Sequence, residues 1–387
     1  MKKLVSSSRQ FSPKFRNAQT DVMGKEEHFK NQLWSPFNVM SAIGMLLLGS
    51  RGNTRSQIKD AVFSAWNSTD KDLEEPLQTL QSLTKEVSKP FKRGNDTLSV
   101  VNQLFFHDDL SIDKKFVEGI KDLYCVDATK TNFGESEKAR IKINSWVERK
   151  TKNKIENLLP QNSLSSKTKL VLVSAIHFLG SWKHAFNSSW TTKSDFHSLR
   201  YAANDTTVKV DMMSQEGNFA FCRLDGIPGE MLKLDYTDER FSMFIILPDK
   251  IEDTPEIVKS FQNFTYDNCK NNTRTVPATI SVPKFEFHAE FKMKNILSKA
   301  GMADLFNGKQ ANLSGIVNET QLFVDEFYHK AIIKVNEEGT ESDAAPTECT
   351  KGKSRQKPQE PKVFKCDRTF IFVIVEKNLQ VFCLKVT

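Results

Sequence analysis

The hydrophobic positions of this chain change period part-way along. In SPFNVMSAIGMLLL (35–48), Val39, Ile43, Leu46 and Leu47 recur at helical spacing behind Ser35-Pro36, which predicts a helix with a good start signal. RGNT (51–54) reads as a turn, SQIKDAVF opens a second helix, and residues 70–89 are helical and amphipathic. LSVVNQLFF (98–106) reads as a buried strand. A helix over 113–124, a short strand near Val126 and a long basic helix over 136–158 follow. Residues 168–180, within KTKLVLVSAIHFLG, read as a central strand. From 205 to 290 strand patterns dominate: TTVKVDMM, FSMFIILP, TISVPKFEFHA. A helix over 291–300, a strand over 321–336 and a hairpin over 369–386 complete the series. Helices first and strands later predict an α+β fold. No repeat and no Pro/Gly-rich linker divides it.

One stretch breaks the pattern. Between the apolar runs AIIKV and TFIFVIV lies EEGTESDAAP (337–346), then TECTKGKSRQKPQEPK, long and polar. A structureless segment of more than about 15 residues inside a compact domain is usually functional or a linker. A linker does not fit here, because the flanking strands need each other and the chain ends soon after.

Composition narrows the class. With 39% hydrophobic residues and 29 Phe among 387 residues, the chain can bury a large core. Its longest apolar runs are strand-length, so no membrane partner or span is predicted. The net charge of +7 is modest, and no zinc-finger spacing, RNA-binding sheet signature or phosphate-cradling loop accompanies it, so no nucleic-acid partner is predicted. Lys85, Lys89, Lys92 and Arg93, or the helix ARIKINSWVERKTKNK, are candidates for a polyanion such as a glycosaminoglycan. The simpler reading of that helix is a solvated face around Ile141, Trp146 and Ile155. Six cysteines (Cys125, Cys222, Cys269, Cys349, Cys366, Cys383) show no CxxC spacing, so neither a metal nor a cofactor is expected. The simplest reading of the six is buried or free thiols. Cys366 and Cys383 are placed on adjacent hairpin strands. MKKLVSSSRQFSPKF lacks the apolar core of a secretory signal. Eight N-x-[ST] acceptors, at Asn67, Asn95, Asn187, Asn204, Asn263, Asn271, Asn312 and Asn318, nevertheless point to a glycosylated, secreted protein. The two signals together predict that this N-terminus is an alternative or misassigned start.

Catalytic machinery is missing: there is no GxSxG, HExxH or GxGxxG, and the seven His are scattered. His329, beside an apolar strand in FYHKAII, reads as a satisfied core histidine. Asp108-Asp109 and Glu337-Glu338 read as solvated carboxylates.

Several segments, in order, resemble the serpin family from about residue 31 to the end: SPFNV with LGSRGNT, LVLVSAIHFLGSWKHAF, PKFEFHAEFKMKNILSKAGMADLF, HKAIIKVNEEG, and FKCDRTFIFVI (364–374), which matches the family's C-terminal signature. The resemblance implies a single domain over 31–387 with three β-sheets, about nine helices and an exposed reactive-centre loop over about 337–362. It also implies a monomer with no catalytic activity. Such a loop is bait: a serine protease cuts it, and the freed N-terminal part inserts into the large sheet with the protease still attached. KVNEEGTES matches the hinge, so Glu337, Glu338, Gly339, Thr340, Glu341, Ser342, Asp343, Ala344 and Ala345 are its residues. Counting about 14 residues from the hinge glycine places the cleaved bond at Lys353-Ser354, whereas counting back from DRTF favours Arg355. Either choice implies a trypsin-like target. Pro346, on the core-facing register without an N–H, and Asp343, where the family prefers Ala, support an alternative: a non-inhibitory binding protein or protease substrate. Trp182 matches the tryptophan at the upper end of the large sheet, and Ser35 and His329 match the region where strands part. Ser174 stands where the family usually has Asn, and Asn38 where it usually has Ser. Glu337 matches an acidic residue that often pairs with a Lys. Before residue 31, Phe11, Phe15, Ala18 and Val22 give only a weak apolar face, interrupted at its start by Pro13, so 1–30 is expected to be poorly defined. Cys349 lies in the reactive loop.

Overall fold

The computed structural model describes residues 14–15, 17–19, 21–22, 32–63, 74–87, 89, 97–198, 206–224, 226–260, 272–340, 361–376 and 379–386. Two hydrogen-bonded sheets organise them. One has six strands: β2 (Thr97–His107), β3 (Thr129–Thr131), β4 (Leu170–Ser181), β10 (Phe285–Lys292), β11 (Glu326–Val335) and β12 (Gly339–Thr340), in the order β10-β11-β12-β4-β2-β3. The other has nine: β1 (Gln32–Trp34), β5 (Thr192–Ser198), β6 (Thr206–Arg223), β7 (Gly229–Asp235), β8 (Phe241–Pro248), β9 (Arg274–Pro283), β13 (Lys362–Lys365), β14 (Phe370–Glu376) and β15 (Leu379–Val386). Two of the three expected sheets merge into this second network because β6 is 18 residues long. Its start pairs with β5, its middle with β9 and its end with β7, so one strand serves both.

Helix α1 (Pro36–Gly49) is buried on nearly every side, which explains its almost wholly apolar sequence. It is followed by α2 (Gly52–Val62), α3 (Glu74–Val87), α4 (Lys114–Tyr124), α5 (Ser136–Lys150), α6 (Thr254–Ser260) and α7 (Met293–Leu297). The second helix begins inside the stretch read as a turn. The basic helix stops at Lys150, well short of 158. Lys152 (φ 51°) and Asn153 (φ 61°) adopt left-handed backbone there, and the chain turns so that Ile155, Leu158 and Leu159 drop onto the six-stranded sheet. Its inward face is Ala139, Ile143 and Val147, whereas Ile141 is 52% exposed. The 3.6-residue period selects the first set. β13 was not anticipated: Lys362–Lys365 runs parallel to β9.

Near the N-terminus Phe15 and Ala18 are buried in the core, and the Phe15 ring stacks on Trp34 at 4.1 Å. Val22 is exposed. Phe11 and Pro13 lie outside the described residues.

Candidate functional site

The site is the seam between β4 and β11. These strands pair directly and in parallel from Val171/Glu326 to His177/Ile332. Above that point they separate, and β12 lies between them. Thr340 pairs with Val335 on one side and Gly180 on the other, and Gly339 pairs with Ser181. The hinge is thus already the first piece of an additional strand.

Local chemistry fixes it there. Asn336 makes the turn: its side-chain oxygen accepts from the N–H groups of Glu338 and Gly339, both at 3.1 Å, and its own N–H donates to the Gly339 carbonyl at 2.8 Å. Gly339 is required by close approach, since a Cβ there would overlap the Gly180 carbonyl oxygen. Trp182 donates its indole N–H to the Asn336 carbonyl at 3.1 Å and its backbone N–H to the Glu338 carbonyl at 2.8 Å. Its ring stacks on Tyr236 with centroids 4.6 Å apart. The Tyr236 and Thr340 hydroxyls lie 2.8 Å apart, and both residues are fully buried. Glu337 is not a solvated carboxylate. It accepts from Thr191 at 2.7 Å and pairs with Lys284 at 2.9 Å. Burial alone would raise its pKa, but the Thr191 and Lys284 hydrogen bonds hold it below the usual carboxylate range.

Lower on the seam lies a buried polar line. Ser35 caps α1: its hydroxyl accepts from the Asn38 N–H at 3.1 Å and donates to the Val381 carbonyl of β15 at 2.5 Å. The Ser35 N–H donates to Nε2 of His329 at 3.3 Å. Nε2 is therefore the acceptor, and the ring proton sits on Nδ1, 3.0 Å from the Ser174 hydroxyl on β4. His329 is fully buried, and desolvation lowers its pKa from 6.5 to about 3. Ser35, Ser174 and His329 thus meet in one line that stitches β11 to β4. Asn38 does not join through its side chain. That amide is fully buried and has no protein partner among the described residues, although Asn102 of β2 donates to the Asn38 carbonyl at 3.3 Å.

A family model described as serpin (serine protease inhibitor) matches residues 17–386. The chain belongs to the serpin family. Similar curated relatives include human Serpin B3, 31% identical over 89% of each chain, and human leukocyte elastase inhibitor, 33% identical over 80% of this chain and 81% of that one. An alpha-1-antitrypsin-like protein of Tamias sibiricus is 33% identical over 92% of this chain and 82% of that one. Among solved structures, a human thyroxine-binding globulin complexed with its ligand superposes at TM-score 0.86 with 26% identity, covering 99% of this serpin and 97% of that chain. Uncleaved ovalbumin superposes at 0.84 with 24% identity, covering 99% of each chain, a likeness of fold alone. The α+β serpin fold read from the sequence is the observed one.

Several expected positions lie outside the described residues: Glu341, Ser342, Asp343, Ala344, Ala345, Pro346, Cys349, Lys353, Ser354 and Arg355 in the loop, Lys92 and Arg93, and Asn67, Asn95, Asn204, Asn263 and Asn271. Asn187, Asn312 and Asn318 are exposed. Lys89 pairs with Glu86 at 2.5 Å. Cys222 is disulfide-bonded, which departs from the expectation of buried or free thiols, while Cys125 and Cys366 are free. Cys366 follows β13 and donates its N–H to Ser281 of β9, so it is not on the β14–β15 hairpin. Asp108 and Asp109 are exposed and lie 3.0 and 2.8 Å from the His107 ring. Sequence reasoning missed Tyr236, Asn336 and Gly180. Only Gly180 carried a signal, as a glycine inside a strand pattern, which marks close backbone approach.

Proposed function

We propose that this serpin is a covalent, loop-inserting inhibitor of trypsin-like serine proteases, with Lys353-Ser354 as the reactive bond and Arg355 as the alternative. The observation that carries this reading is the placement of Gly339–Thr340 between β4 and β11. The protease serine attacks the carbonyl carbon of the basic residue. An ester to the enzyme forms, and the amine of the following residue leaves. The freed segment continues the strand that Thr340 begins, and each ladder hydrogen bond contributes about 1 kcal/mol net. The acylated protease is dragged along and its deacylation stalls. Secretion is part of the reading, supported by the Cys222 disulfide and the exposed acceptors Asn187, Asn312 and Asn318. The protein acts as a monomer.

Thr340 also favours a second reading. Its side chain faces the buried Tyr236 side, and residues 342, 344 and 346 share that parity in a continued strand. Pro346 would then lack an N–H where the central ladder needs one. Slow insertion lets the ester hydrolyse, which leaves a cleaved substrate or a binding protein.

Mixing the protein with trypsin and resolving the products on denaturing gels tests both. The first reading expects a band at the summed mass, lost in a Lys353→Ala/Arg355→Ala variant. A clipped band alone supports the second. An adduct that persists in the double variant excludes Lys353 and Arg355 as the bait.

A further inference from the structure

We propose that Asp325 is the latch at the closed end of the β4–β11 seam, and that it sets how much attacked serpin ends as trapped adduct and how much as cleaved product. The latch stands on the geometry alone. Its effect on the partition rests on the loop-inserting reading above.

Two blocks of strands meet along the seam, and each is tied within itself at the closed end. On one side, Lys169 leads into β4 and is held to the end of β2. Its carbonyl accepts from the His107 N–H at 2.9 Å, and its ammonium pairs with Asp109 at 2.5 Å. On the other side, Glu326 opens β11 and pairs with Lys292 of β10 at 3.0 Å. The parallel ladder that joins the blocks starts at Val171/Glu326. Below that step the side chain of Asp325 crosses the joint. Its Oδ2 accepts from the N–H of Lys169 at 2.8 Å and from the N–H of Leu170 at 2.9 Å. The Asp325 N–H returns a bond to the Leu170 carbonyl at 3.0 Å.

This tie is stronger than a rung of the ladder. A turn closed by the Thr168 N–H on the Ser165 carbonyl at 3.0 Å delivers the chain into β4, and two successive N–H groups converge on one oxygen. Hydrogen bonds to an ionised acceptor are roughly twice as strong as neutral ones. Asp325 is half-buried, so water competes less for it.

Register puts the latch last. Thr340 stands level with Gly180 on β4 and with Val335 on β11. A strand continued in that register comes level with Leu170 and Asp325 at the same step, ten residues further on. It meets the latch only after rebuilding the ladder above, about 33 Å at about 3.3 Å per residue. The two blocks must then stand one strand spacing, about 4.8 Å, further apart. The short Asp325 side chain cannot span that gap, so both of its bonds to β4 break. The arriving strand presents a carbonyl to β4 only at alternate residues, so it does not replace both acceptors. A tie that opens at the end slows the last stage of insertion while the ester to the protease is free to hydrolyse. It leaves the earlier cut in the loop untouched. The signature of the latch is a changed partition at an unchanged rate of loop cleavage.

The test uses the full chain, trypsin and three variants. In the uncleaved protein, hydrogen exchange at the amides of Lys169 and Leu170 should speed at least tenfold in Asp325→Ala, and less in Asp325→Asn, which keeps one acceptor oxygen. That readout needs no protease. With trypsin, the ratio of cleaved product to adduct should fall at least threefold in Asp325→Ala, with Asp325→Asn between it and the wild type, while the rate of loop cleavage stays the same. Glu326→Gln weakens the neighbouring ion pair inside one block and should leave the ratio unchanged, whatever it does to stability. Unaltered exchange at both amides overturns the latch. An unchanged or higher ratio in Asp325→Ala, or an equal fall in Glu326→Gln, overturns its role in the partition. Absence of adduct in the wild type and in every variant removes the inhibitor reading and the partition role with it, while exchange still decides whether Asp325 ties the two blocks.

Discussion

The upper and lower halves of the β4–β11 seam are built differently. Below Ile332 the strands share a continuous parallel ladder, and the line Ser35–His329–Ser174 crosses it inside the core. Above it the strands have already parted around two residues, held by a turn, a stacked Trp182–Tyr236 pair and one hydroxyl contact. The upper half is thus a prepared opening and the lower half a clasp. In the loop-inserting reading proposed above, insertion starts where the backbone is already separated, and its resistance lies where the ladder and the polar line must break.

The largest effect that would break this contrast comes at the top. Thr340→Arg places a cation where Thr340 is fully buried against Tyr236, and an unpaired buried charge is strongly disfavoured. The adduct yield with trypsin should fall tenfold or more in favour of cleaved product. An unchanged yield would mean that Thr340 does not lead the inserted strand.

The clasp comes next. His329→Gln should destabilise the fold by about 2–4 kcal/mol, because it disturbs a buried ring and leaves the partners Ser35 and Ser174 poorly satisfied. The clasp also carries a pH signature. His329 stays neutral in the fold down to about pH 3, whereas in the unfolded chain it protonates near 6.5. The unfolded state therefore binds the extra proton in that window. Stability is full above 6.5 and falls as the pH drops toward 3, with a slope on the order of 1 kcal/mol per unit. Thermal unfolding between pH 7 and 4 should show a shallower dependence in the variant than in the wild type.

A smaller effect sharpens the account of the polar line. Asn38→Ser with Ser174→Asn removes a buried amide that has no protein partner and supplies a longer group beside His329. This exchange should raise stability by about 1–2 kcal/mol, read from denaturant unfolding. A loss of stability would mean that the Asn38 amide is satisfied in solution. Smallest of all, Tyr236→Phe removes one hydroxyl contact. It should cost about 1 kcal/mol and speed proteolysis at the hinge without altering the lower seam.

Much of this was legible beforehand because periodicity and local order survive in one dimension. The α1 face, the β2 and β4 runs and the hinge EEGTES stand out in the chain as written. The failures share a physical cause. Ile141 looked apolar and inward, but α5 turns Ile143 and Val147 to the sheet, and its stop at Lys150 depends on left-handed residues that no glycine announces. Tyr236 and Lys284 act on the hinge from distant segments, and such long-range partners leave no periodic trace. Glu337 read as a solvent-facing carboxylate from the residues alone, whereas the family resemblance implied a Lys partner, and Lys284 and Thr191 stand beside it.

The central claim is that the segment after Thr340 completes a strand already begun between β4 and β11. The most direct measurement is the thermal unfolding midpoint before and after a single cut in the loop at the basic cluster. A large upward shift after cleavage is the expected result, because the freed segment fills the seam and closes the ladder. An unchanged midpoint, with the loop fully cut, would contradict the account.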